Sequence, residues 1–96
     1  MTALTLLSPH ERPIKPLVQS ALENELRLLR AGIERTERRL KEFESRYGMS
    51  SSEFLRRYEE DELEETLELI EWVGELRLLE RLREQAETVQ EIRFAN

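Results

Sequence analysis

The chain has no cysteine, one histidine, three glycines and three prolines among its 96 residues. Without cysteine there is no disulfide framework, no thiolate nucleophile and no cysteine-held zinc. The lone His10 sits in a proline-flanked segment, with no second imidazole to share a metal or a proton. No apolar run approaches the roughly 18 residues that a membrane-spanning helix needs. The opening Thr2-Ala-Leu-Thr-Leu-Leu-Ser8 lacks the basic start and long apolar core of a signal peptide. A soluble, cytoplasmic chain is therefore expected. No glycine-rich loop is present to cradle a phosphate. So little glycine and proline against 38% charged residues is the composition of long helices rather than of sheets and turns.

What the chain does have is charge, and its distribution is uneven. Residues 1–48 hold 7 acids and 9 bases, a net of +2, whereas residues 49–96 hold 14 acids and 6 bases, a net of -8. The stretch from Glu59 to Glu75 carries 9 acids and no base. Such a segment repels nucleic-acid backbones and attracts basic protein surfaces.

Prolines at 9, 13 and 16 keep helix out of residues 1–16, which read as an N-terminal tail ahead of a single helical domain over 17–96. Pro16 suits the first turn of the following helix, where a missing amide costs little. From Leu17 to Tyr47 the apolar positions Leu22, Leu26, Leu29, Ile33, Leu40, Phe43 and Tyr47, with Thr36 filling the gap, alternate in steps of four and three. That heptad seam predicts a helix packed nearly parallel to a neighbour's axis. Acid-to-base pairs four apart, such as Glu34–Arg38 and Glu42–Arg46, support its exposed flank. Gly32 is costly inside a helix and either marks a close helix approach or has no such role.

Gly48 suits the left-handed residue beyond a helix end. Ser50 with Glu53 three residues later forms a capping box, so a second, short helix starts near Ser51. Asp61 with Glu64 offers another box, which predicts a break near Glu59–Glu62. Periodicity resumes from Leu63 to about Ile92 through Leu67, Ile70, Val73, Leu76, Leu79, Leu82, Ala86 and Val89, broadened by Leu69, Trp72 and Leu78. A face this wide has to be covered on two sides. A two-helix hairpin covers one, which leaves the short helix, a second copy of the chain or another protein for the other.

Catalytic and metal constellations are scarce. Serines 50 to 52 are explained by capping, with no histidine or lysine at a suggestive spacing. The run Glu59 to Glu65 has neither the glycine-permitted turn of a calcium loop nor a Glu-x-x-His motif of a paired-iron bundle. Acids at a helix start are its simpler reading, so no metal and no cofactor are predicted. Arg35, Arg38, Arg39 and Lys41 are interleaved with acids and lack an aromatic companion, unlike a nucleic-acid stripe. The wide apolar face is bordered by acids, which argues against a membrane surface. Trp72 fits both core packing against Leu69 and Leu76 and service as an interface anchor.

The segments Ile14-Lys-Pro-Leu-Val-x-x-Ala-Leu-Glu-Asn-Glu-Leu-x-Leu-Leu, Leu40-Lys-Glu-Phe-Glu-x-x-Tyr-Gly-Met-Ser-Ser, Glu53-Phe-Leu and Ile70-Glu-Trp resemble small helical antitoxin-like proteins of prokaryotic toxin–antitoxin pairs. The likeness covers about residues 14 to 92, and Tyr47-Gly-Met-Ser-Ser with Phe54 is its most specific part. These are helix punctuation rather than chemistry. Members often carry glycine in the acidic connection, where this chain has Glu59 to Glu65. The resemblance implies a non-catalytic protein that covers a toxin encoded next door.

The expected fold is all-α: a long antiparallel helical hairpin with a short helix near the turn, dimerising into a helical bundle. Its packing seam is the first-helix set Leu22, Leu26, Leu29, Ile33, Leu40, Phe43 and Tyr47 with Leu76, Leu79 and Leu82. The predicted partner interface is Glu59, Glu60, Asp61, Glu62, Glu64, Glu65, Glu68, Glu71 and Trp72. The expected function is antitoxin-like protein binding; the alternative is a self-assembling homodimeric adaptor or scaffold.

Overall fold

The computed structural model describes residues 2–7 and 13–94, with the backbone alone for 2–4 and 93–94. His10 lies outside the described residues. Three helices, α1 (Lys15–Tyr47), α2 (Ser51–Glu59) and α3 (Leu67–Gln90), form an all-α hairpin in which α3 runs back along α1. The chain ends meet in a short parallel pairing of β1 (Thr2–Leu4) with β2 (Ile92–Phe94). The N-terminal tail thus contains a strand segment tied to the far end of α3.

Each helix boundary has a local cause. Pro16 occupies the first turn of α1. Gly48 ends α1 at φ 64°, and its amide donates to the Glu44 carbonyl at 2.9 Å. The Ser50 hydroxyl accepts from the Glu53 amide at 3.1 Å and caps α2. The other half of the expected capping box is not made. Glu53 turns its carboxylate to Arg56 and Arg57, and separately the Ser51 amide donates to the Glu44 carboxylate of α1 at 2.7 Å. That bond fixes α2 against the end of α1.

The predicted break after α2 is present, but its residues play other roles. Asp61 is no cap: it stops α2 in the left-handed conformation at φ 60°, a position where Asp is better tolerated than most residues. The cap of α3 is Thr66, whose hydroxyl accepts from the Leu69 amide at 3.2 Å. Residues 60–66 are therefore a connection, and α3 starts four residues later than the hydrophobic periodicity alone predicts.

The molecule measures 61 × 21 × 18 Å, with a radius of gyration of 19.1 Å. A compact chain of this length would have about 12–13 Å. The core is correspondingly thin and concentrated near the turn. Leu40, Phe43, Phe54, Leu69, Trp72, Val73 and Leu79 form one buried cluster. Along the seam Leu29, Leu40, Phe43 and Leu79 are buried, whereas Leu22, Leu26, Ile33, Leu76 and Leu82 are half-buried. Tyr47 remains at the rim, its ring 5.5 Å from that of Trp72.

Gly32 does mark a close approach. A methyl group there would lie 3.3 Å from Cδ1 of Leu82. Gly32→Ala is expected to be nearly neutral, because a helix-propensity gain of about 1 kcal/mol offsets a small shift of that flexible side chain. Gly32→Leu overpacks the contact and is expected to cost about 1–3 kcal/mol in urea denaturation.

Candidate functional site

The two long helices leave a distinct surface at the turn end, where α2 and the 60–66 connection fold over the start of α3. Beneath it is an aromatic stack. Trp72 lies between Phe54, at 3.9 Å between ring centres and 3° from parallel, and Phe43, at 5.4 Å and 9°. The indole N–H donates to the Ser51 hydroxyl at 3.0 Å. Trp72 and Phe54 are both fully buried, at 0% exposure. The structure therefore removes Trp72 from the predicted partner interface: its ring is enclosed by its own chain. The physical reason is α2, which supplies Phe54 to the side of the indole that α1 cannot reach.

Leu67 and Ile70 take the reverse course. Their spacing predicts core positions, yet they are 73% and 47% exposed. The inward stripe at the start of α3 is Leu69, Trp72 and Val73, one helical face away. Starting the helix at Leu67 rather than Leu63 leaves Leu67 in its first turn, facing solvent beside the acidic connection.

The acidic stretch is base-free in sequence but not in space. Arg39 of α1 reaches Glu71 at 3.5 Å and Glu75 at 3.4 Å, and Arg46 pairs with Glu68. Arg83 of α3 returns the contact, to Glu37 at 2.8 Å. Glu68 is held below the usual carboxylate range by its bond from Arg46. These exposed bridges contribute little stability individually, but they match the basic half of α1 to the acidic start of α3 in one register. Much of the charge asymmetry is therefore complementarity within the chain. Glu68 and Glu71, predicted to face a partner, are engaged in this way.

A second cluster centres on Arg56, which holds Glu53 at 2.9 Å, Glu60 at 2.6 Å and Glu62 at 3.1 Å. It clasps the connection against α2. A hydrogen bond between Glu60 and Glu62 raises the carboxyl of Glu60, and the same bond, with Arg56, lowers that of Glu62. Glu65 accepts from the Tyr58 hydroxyl at 2.7 Å. Among the described residues, Glu59, Asp61 and Glu64 form no ion pair. They remain as a free acidic group at the turn end, close in sequence to the exposed Leu67 and Ile70.

Glu53 gives this clasp a pH signature. Hydrogen bonds from Arg56 and then Arg57 hold its carboxyl down from 4.5 to about 2. A depressed carboxylate stabilises the fold above its unfolded value and ceases to do so as pH falls through its folded value. Thermal stability is expected to fall between about pH 5 and pH 2. Glu53→Gln should flatten that fall, as read by circular dichroism. A profile identical in the variant would show that Glu53 contributes nothing.

Among the described residues, no group of three or more His, Cys, Asp or Glu is placed to hold a metal ion. No helix among them is long and apolar enough to cross a membrane. The fold and surface define a class: a thin helical hairpin, closed at one end by a short crossing helix, that displays an acidic edge beside exposed leucine and isoleucine. No family profile, curated protein or solved structure matches the chain. The likeness to antitoxins rests on sequence motifs alone.

Proposed function

We propose that this chain is a non-catalytic protein-binding module of antitoxin type, acting in the cytoplasm and covering a basic toxin encoded beside it. The observation that carries the reading is the turn-end surface. Among the described residues Glu59, Asp61 and Glu64 stand without cationic partners, and Leu67 and Ile70 are exposed beside them in sequence. Free carboxylates steer a basic partner and raise its rate of association, while exposed aliphatic groups supply area to bury on contact. The neutralised acids on α3 take a different role, holding the surface in shape.

The test is co-expression with the adjacent reading frame. The neighbour is expected to impair growth alone, to be harmless beside this chain, and to co-purify with it. A neighbour that is harmless alone and does not co-purify would end the antitoxin reading.

A second reading, a self-assembling adaptor, is favoured by Leu17 and Leu28, which are 72% and 58% exposed. Eleven residues apart, they share one flank of α1. A homodimer through that flank predicts twice the chain mass of 11.5 kDa in light scattering. A strict monomer at high concentration would exclude it.

A further inference from the structure

The surface beside the free acids is not flat. A cleft of about 230 Å³ opens between the end of α1 and the 60–66 connection, lined by Tyr47, Met49, Leu63, Glu64 and Leu69, with the enclosed Phe54–Trp72 stack behind them. Its lining is apolar apart from Glu64 and Thr66. Cavities of about 150 Å³ accept a benzene ring, so this volume admits one apolar side chain. Leu63, which forms one wall, is held by packing against the core, and the connection that carries it is clasped by Arg56. The cleft is therefore preformed rather than created by an incoming group. At its edge, Glu64 forms no ion pair among the described residues.

We propose that this cleft is a socket for one apolar side chain of a basic protein segment, with a neighbouring Lys or Arg of that segment pairing with Glu64. The inference rests on the protein-binding reading above and adds where the anchor sits. Charge complementarity selects the occupant. Glu64, Asp61 and Glu59 disfavour an acidic segment, a nucleic acid, an anionic lipid or the acidic turn end of a second copy of this chain. An apolar anchor beside a cation satisfies both chemistries of the cleft at once. A small number of buried anchors carries most of the affinity in protein interfaces, with the charged rim setting partner choice.

Trp72 is the only tryptophan and, though itself enclosed, lies directly behind the lining of the cleft, so its emission reports on packing changes there. The probe is a synthetic peptide carrying two leucines between lysines, compared with the same peptide bearing serines in place of the leucines. The leucine peptide is expected to shift Trp72 emission saturably, to perturb the amide resonances of Met49, Leu63 and Glu64, and to bind about tenfold or more tightly than the serine peptide. Glu64→Lys is expected to weaken the leucine peptide by about tenfold while leaving the free protein's far-UV circular dichroism and melting temperature unchanged, which certifies the fold. Equal binding of the two peptides, or perturbation confined to Leu67 and Ile70 on the outer face, would overturn the socket. That failure is separable from failure of the antitoxin reading. A neighbour that still co-purifies after the socket is refuted leaves the reading intact with the anchor elsewhere.

Discussion

Trp72→Ala is expected to remove about 3–5 kcal/mol of stability, the usual range for deleting a large buried aromatic. The indole lies face to face with Phe54 and stacks with an offset on Phe43, and it also bonds Ser51 of α2. Its loss opens a void in the thickest part of a thin core and frees α2 from the hairpin. Against a total stability of about 5–15 kcal/mol for a domain, that leaves the variant marginal or unfolded. Trp72→Phe should lose less, about 1–2 kcal/mol, because an aromatic face remains while the bond to Ser51 goes. Urea denaturation followed by circular dichroism measures both. A Trp72→Ala variant within about 1 kcal/mol of the parent would mean that the stack does not organise the fold.

The second large effect concerns binding. Glu59→Lys, Asp61→Asn and Glu64→Lys together move the net charge from -6 to -1 and reverse the free acidic group. Asparagine is chosen at 61 because it tolerates the left-handed backbone there. None of the three holds an ion pair among the described residues, so the melting temperature should change little. Affinity for the co-purified partner is expected to fall by about a hundredfold, or roughly 3 kcal/mol, since like charges brought together cost several kcal/mol. Calorimetric titration reads this directly. Undiminished affinity would remove the acidic connection from the interface.

The hairpin was legible in the sequence because its causes are local and periodic. Pro16, the heptad steps through Leu40 and Phe43, the Gly48 stop and the Ser50 cap all appear at their predicted places. The Thr66 cap was not singled out in the sequence, because the string of acids offered Asp61 and Glu64 as a box in its place. What decides between them is the left-handed stop at Asp61, a backbone state that the residue permits and does not require. Trp72 shows the limit of one-dimensional pattern. Its helix spacing fits a core and an interface equally well, and only the placement of Phe54 across the connection buries it. The acidic stretch misleads in a related way. Absence of bases within it says nothing of Arg39 and Arg46, which arrive from another helix and pair with Glu68, Glu71 and Glu75. The candidate surface thus contracts from nine predicted positions to a smaller group around Glu59, Asp61 and Glu64. Leu67 and Ile70 join it, though their periodicity placed them inside.

That contraction leads to the central proposal, that a partner docks on the turn end of the hairpin. Hydrogen exchange of the chain, free and in complex with the partner captured by co-expression, tests it most directly. Protection gained across residues 59–70 is expected, with little change along the middle of α1. Protection confined to the flank of α1 that carries Leu17 and Leu28 would contradict it.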